Sequence, residues 1–142
     1  MPSPPPSPPP GLTEELLAVA TEAATRAAEL IVAASERGHH DIYTKSSPTD
    51  LVSEVDRAAE RCVVSVLDRY RPNDAILAEE GTSRPGTTGI RWVIDPLDGT
   101  TNFLFGIPAF AVSVAAELDG QAVAGVVIDP SRQETFAAMS GA

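Results

Sequence analysis

Arg91-Trp92-Val93-Ile94-Asp95-Pro96-Leu97-Asp98-Gly99-Thr100-Thr101-Asn102-Phe103 is the most informative stretch of this chain. The apolar run from Trp92 to Ile94 reads as a buried strand that stops at Asp95, because Pro96 has no N–H to give to a sheet ladder. Asp98 returns a second carboxylate three residues on. Gly99 frees the backbone for a tight turn, and Thr100, Thr101 and Asn102 supply groups that cap turns and helix starts. Two carboxylates at a strand end, beside a Gly-Thr corner with N–H groups, can hold a hard cation and a phosphate together.

Upstream, Ala75-Ile76-Leu77 is a short apolar strand that ends at Glu79-Glu80, and the Gly81 to Gly89 segment is a polar loop. Downstream, Phe110 to Leu118 reads as a strand, Asp119-Gly120 as a two-residue hairpin turn and Gln121 to Ile128 as the return strand. Asp129-Pro130-Ser131-Arg132 turns again, and Glu134 to Ala138 is a final strand, expected to be barely formed, with an unpaired edge. Ahead of these strands, Leu16, Leu17, Ala20, Ala23, Ala24, Ala27, Leu30, Ile31 and Ala34 give Thr13 to about Arg37 an apolar helical face, with Gly38 as its stop. A second helix is expected from about Ser53 to Tyr70, with Ser53 and Asp56 forming a capping-box-like start and Pro72 ending it. The fold class is therefore α+β: two N-terminal helices packed on an antiparallel sheet. No internal repeat is present in the sequence.

The 142 residues suit one domain with a real core. A formal net charge of -10 argues against direct nucleic-acid or anionic-membrane binding and is compatible with divalent-cation chemistry. The lone cysteine, Cys62, leaves no internal disulfide and fits a reducing compartment, and without a signal-like N-terminus or an apolar span the expectation is a cytoplasmic protein. Residues 1–11 hold seven of the thirteen prolines and read as an extended solvated tail, distinct from the folded unit over 12–142.

Three acidic groups can carry chemistry: Asp56 in the first turn of the second helix, Glu79 with Glu80, and Asp95 with Asp98. If neighbouring strand ends converge, Glu79, Asp95 and Asp98 cannot all stay ionised without counter-charge. Mg²⁺, or alternatively Mn²⁺, resolves that conflict with oxygen ligands, whereas the lack of a His/Cys cluster argues against zinc. His39 and His40 read as solvated, and Cys62, Trp92 and Phe110 as core residues.

Trp92 to Phe103 closely resembles the diagnostic motif of the inositol monophosphatase family of Mg²⁺-dependent, lithium-sensitive phosphatases. The resemblance extends through Lys45-Ser46-Ser47-Pro48-Thr49-Asp50-Leu51-Val52-Ser53-Glu54-Val55-Asp56 and Ile76-Leu77-Ala78-Glu79-Glu80. It continues through Ile107-Pro108-Ala109-Phe110-Ala111-Val112-Ser113-Val114 to Gly125-Val126-Val127, covering roughly residues 12–142. It implies the N-terminal part of a layered α/β/α/β sugar-phosphatase fold, truncated at the C-terminus. By position, it implies that Glu79 ligates a first metal and orients the attacking water. Asp95 would bridge two metals, the Leu97 carbonyl would complete the first site and Asp98 would bind the second. The N–H groups of Gly99 and Thr100 would hold phosphate, and the Thr100 hydroxyl, oriented by Asp56, would help activate the water. Lys45 borders the active site in the family.

The resemblance also implies two departures. Ala78 stands where the family usually has glycine, and the chain has about half the family's length, so a further aspartate ligand and the substrate-selecting residues are expected to be missing. The leading expectation is a phosphomonoesterase for a small polyol or sugar phosphate, which in this form binds one Mg²⁺ weakly and turns over poorly. Histidinol phosphate, fructose 1,6-bisphosphate and 3′-phosphoadenosine 5′-phosphate are the substrate alternatives within the superfamily. A catalytically impaired remnant or interaction module is the alternative of a different class. Apolar surface meant for an absent half predicts aggregation, homodimerisation or marginal folding.

Overall fold

The computed structural model describes residues 8–41, 48–78, 82–98 and 110–140, and of these the side chains of 37–53 lie outside the description. Among these residues two helices precede a sheet of five strands. The helices are α1 (Leu12–Asp41) and α2 (Pro48–Tyr70). The strands are β1 (Ala75–Ala78), β2 (Ile90–Asp98), β3 (Ala111–Leu118), β4 (Gln121–Asp129) and β5 (Glu134–Met139).

α1 buries Leu16, Ala20, Ala23, Ala24, Ala27, Ile31 and Ala34 along one stripe, and its many small residues let the helix lie close to the strands. Glu14 and Glu15 occupy its first turn, where negative charge complements the helix dipole. The helix runs past Gly38 to Asp41, because a single glycine costs a long helix only about 1 kcal/mol. α2 begins at Pro48, five residues before the expected start, so Ser53 lies inside the helix and is not its cap. Proline suits the first helical turn, where its missing N–H has no partner to lose. Val55, Ala59, Val63, Val66 and Leu67 form the buried face of α2.

Both helices cover one face of the sheet, α1 on β3, β4 and β5 and α2 on β2. The core lies between them, and Trp92, Leu16, Ile31, Leu67, Ile94, Val63, Val112, Val114 and Val126 are fully sealed there. The opposite face leaves Leu77, Val127 and Phe136 exposed, with Val127 and Phe136 paired across β4 and β5.

The strand order is β1-β2-β3-β4-β5, with antiparallel pairing from β2 to β5. β5 pairs with β4 along its full length, contrary to the expectation of a barely formed strand. The Asp119-Gly120 turn has both residues at positive φ (50° and 87°), as a type I′ hairpin turn requires.

β1 pairs with β2 in parallel, which makes the sheet mixed. Among its described residues, 82–89, the connection between them forms no helix and turns back on itself. Ile76 and Arg84 exchange two backbone hydrogen bonds of 3.0 Å, and Thr87 N–H donates to the Asn73 carbonyl at 2.9 Å. The loop thus returns beside β1 to its starting end before β2 begins. Gly86 permits this approach: a Cβ there would lie 2.6 Å from Asp74 C and 2.7 Å from Asn73 O.

Candidate functional site

β2 does not end at Asp95. It continues through Pro96 to Asp98, with a register shift against β3 between Asp95 and Asp98. Asp95 faces Ser113 and Asp98 faces Ala111, so Pro96 and Leu97 together oppose Val112 alone. This is a β-bulge, one of the few places where a strand tolerates proline. Pro96 and Leu97 are both buried, the latter 3% exposed.

The bulge re-aims the acids. Residues three apart in a regular strand point to opposite faces of the sheet. Here the cross-strand partners, Ser113 and Ala111, are two apart on β3 and share the face away from the helices. Asp95 and Asp98 therefore lie on that same face, Asp95 half-buried and Asp98 exposed. An extra residue in the strand thus brings onto one face carboxylates whose spacing would otherwise separate them.

Asp56 is buried on α2, the helix that packs against β2. One turn further along α2, Glu60 is also buried, and its Oε2 accepts the Thr82 hydroxyl at 2.8 Å. Thr82 is the first described residue after Glu79-Glu80-Gly81. Ala78, at the other end of that gap, is buried and donates its N–H to Ser83 Oγ at 3.5 Å.

Below this edge lies a polar centre that sequence reasoning missed. Asp74, 1% exposed, accepts Arg71 Nε–H on Oδ2 at 2.7 Å, Arg71 Nη2–H on Oδ1 at 3.1 Å, the Thr88 hydroxyl on Oδ1 at 2.7 Å and the Trp92 indole N–H on Oδ2 at 2.9 Å. The hydrogen bond to Asp74 raises the Arg71 guanidinium pKa further above its ordinary value, against an opposing effect of burial. A fully satisfied buried carboxylate of this kind fixes the end of α2, the returning loop and β2 relative to one another. Only Asp74's place just before an apolar strand hinted at this.

Of the expected site residues, Asp95, Leu97 and Asp98 share the β2 terminus and Asp56 lies on the helix that packs against that strand. Glu79, Gly99 and Thr100 lie outside the described residues, as do the side chains of Lys45, His39 and His40. Among the described residues, no group of three acidic, histidine or cysteine side chains is close enough to hold a metal ion. The donors that are described are carboxylate oxygens, the type Mg²⁺ and Mn²⁺ select. Trp92 is a core residue, as expected. Cys62 is partly buried, and burial pushes its thiol pKa up. No helix among the described residues is long and apolar enough to cross a membrane.

A two-helix layer on a mixed sheet, with paired aspartates at a bulged strand end, defines an α+β domain built around an acidic edge. The chain belongs to the inositol monophosphatase family, whose model matches residues 12–142. A protein named Nus factor SuhB from Pseudomonas aeruginosa is 44% identical over 131 residues, which cover 90% of this chain and 48% of that protein. An inositol-1-monophosphatase from Rhizobium meliloti is 50% identical over 95 residues, covering 66% of this chain and 36% of that protein. The extragenic suppressor protein suhB of Bartonella henselae superposes with a TM-score of 0.79 at 38% identity, covering 89% of this chain and 49% of that one. An inositol monophosphatase from Anabaena gives 0.74 at 34% identity, covering 90% and 45%. The chain thus spans about half the length of these relatives.

Proposed function

We propose that residues 12–142 are the metal- and phosphate-binding half of a Mg²⁺-dependent phosphomonoesterase that acts on a small polyol or sugar phosphate. The observation that carries this reading is the bulge that puts Asp95 and Asp98 on one face of the sheet. Glu79, Asp95, Asp98 and the Leu97 carbonyl are the oxygen donors for Mg²⁺ or Mn²⁺. When bound, the ion would acidify a water and offset the negative charge of the phosphate. The chain's own residues do the remainder. Gly99 and Thr100 N–H groups hold phosphate oxygens, and the Thr100 hydroxyl, oriented by Asp56, helps activate the attacking water, the Asp56 carboxylate taking the hydroxyl's proton as the hydroxyl takes one from the water. Lithium sensitivity and a cytoplasmic location accompany this reading.

A second reading rests on the relatives from Pseudomonas aeruginosa and Pasteurella multocida that carry the name Nus factor SuhB, at 44% and 40% identity. On that reading the domain works through association with a partner, and the acidic edge is inherited without present catalytic use. The deciding experiment is Mg²⁺-dependent phosphate release across a panel of polyol, sugar and nucleotide monophosphates, comparing this chain with Asp98→Asn. A rate that falls at least tenfold in the variant supports the enzyme, and equal rates remove Asp98 from the mechanism. Absence of release from both, with undiminished Mn²⁺ binding by this chain, favours the partner-binding reading.

A further inference from the structure

We infer that Glu60 is a positioning residue: through Thr82 it ties the helix that carries Asp56 to the chain that follows Glu79-Glu80-Gly81. The inference rests on the functional reading above for its purpose, and on its own contacts for its geometry.

Glu60 is 5% exposed, and the Thr82 hydroxyl donates to its Oε2 at 2.8 Å. Oε1 is enclosed as well and has no hydrogen-bond partner among the described residues. Enclosing a carboxylate costs more than one hydrogen bond to a hydroxyl returns, so fold stability alone does not account for an acid here. A leucine or methionine of similar volume would serve the core better.

What the acid does supply is a fixed link. Glu60 follows Asp56 by four residues, so both lie on the same edge of α2. Ile76 and Arg84, on either side of residues 79–81, are clamped separately by their two backbone bonds. Arg84 is held in turn by Asp68 at 2.5 Å and by the Asp74 carbonyl at 3.4 Å. Among the described residues that flank 79–81, Thr82 bonds to α2 through Glu60. A metal-ligating carboxylate must be held to within about 0.5 Å by its supports, and supports built on helices do this better than those on loops. Glu60 provides that support from the same helix that provides Asp56, so Thr82 and the acid that orients the Thr100 hydroxyl are set against one rigid element.

The test uses the whole 142-residue chain with Glu60→Ala, Glu60→Gln, Thr82→Val and Thr82→Ser. Amide hydrogen exchange of Thr82 to Arg84 is read first, then Mn²⁺ affinity by electron paramagnetic resonance. Glu60→Ala and Thr82→Val should each speed exchange of those amides about tenfold and weaken Mn²⁺ binding by roughly 10-fold or more, the usual scale for losing an outer-sphere support. The double variant Glu60→Ala/Thr82→Val should be no worse than either single one. Glu60→Gln and Thr82→Ser keep an acceptor and a donor, and should restore exchange to within about threefold of the parent. Unchanged exchange in Glu60→Ala, or acceleration spread evenly over the whole chain, would overturn the inference, as would Glu60→Gln behaving like Glu60→Ala. A parent chain that takes up no Mn²⁺ defeats the functional reading instead, and the exchange data then decide the tie by themselves.

Discussion

The Trp92 indole N–H donates to Asp74 Oδ2 at 2.9 Å, with both side chains sealed from solvent at 0% and 1% exposure. Arg71 and Thr88 complete the acceptor sphere of that carboxylate, so one side chain before β1 joins α2, the returning loop and β2. Removing it strands a buried guanidinium edge, a hydroxyl and an indole N–H together. Asp74→Ala should therefore cost about 3–5 kcal/mol, the range for breaking a buried charged pair from one side. Trp92→Phe removes one donor and some volume and should cost less, about 1–3 kcal/mol. Trp92 is the chain's single tryptophan, so its emission reports unfolding of the Asp74 variant, and circular dichroism serves for Trp92→Phe. Equal midpoints for Asp74→Ala and the parent would remove Asp74 from the scaffold.

Gly86 has its reason in the loop that makes β1 and β2 parallel. An added methyl would meet backbone atoms of Asn73, Asp74 and Ala75, and backbone has no rotamer with which to move aside. Gly86→Ala should destabilise by about 1–3 kcal/mol, the scale of overpacking, and should also loosen the Thr87–Asn73 hydrogen bond. Urea denaturation measures the first effect, and faster exchange of the Thr87 amide the second. A Gly86→Ala variant as stable as the parent would mean that this loop does not pass so close to β1.

Asp129 gives a pH dependence whose sign can be stated. The Ser131 hydroxyl donates to its Oδ1 at 2.7 Å and the Arg132 N–H does so at 3.2 Å, and the first of these is the main cause of a lowered carboxyl pKa. A folded pKa below the unfolded value of about 3.9 means that the contribution to stability is present above that value. It is lost as pH falls through the folded pKa. The direct observable is the titration of this carboxyl by carbonyl-carbon NMR. Ser131→Ala should move that midpoint upward, toward the ordinary aspartate value. A midpoint that stays put assigns the shift to Arg132.

Much of the fold is legible in the sequence because its periodicities are unambiguous. The alanine-rich stripe of α1 has only one apolar face to bury, and Asp119-Gly120 is a pair that accepts positive φ at both positions. The differences between sequence and structure share a cause: tertiary context overrides a local rule. Proline ends a regular strand, but the bulge at Pro96 and Leu97 asks nothing of the missing N–H, so β2 runs on to Asp98. Ser53 and Asp56 resemble a cap only because a helix interior also repeats at three-residue spacing, while Pro48 is the better start signal. The parallel placement of β1 depends on Gly86 packing against residues distant in the loop, which no window of sequence contains. For the candidate site, the paired aspartates were visible as a motif, but their shared face was not, since it depends on the register with β3. Asp74 and Glu60 looked like ordinary acids because their partners, Trp92 and Thr82, are 18 and 22 residues away.

The bulge separates support from chemistry, and a pair of substitutions can show it. Leu97 is buried at 3% exposure beneath the acidic edge, whereas Asp98 is exposed. Leu97→Ala should cost about 2–5 kcal/mol through lost burial and the cavity left behind. Asp98→Asn, an exposed near-isosteric change, should shift stability by no more than about 0.5 kcal/mol. Metal affinity should order the two in the opposite sense. Asp98→Asn removes a charged oxygen donor and should weaken Mn²⁺ binding at least tenfold at 25 °C, while folded Leu97→Ala retains both carboxylates and should lose much less. Denaturant midpoints and Mn²⁺ titration on the same preparations read both quantities. If Leu97→Ala weakens the metal as severely as Asp98→Asn while still folded, the bulge geometry itself sets the site. If neither variant changes Mn²⁺ affinity, the β2 terminus is not where this chain holds a cation.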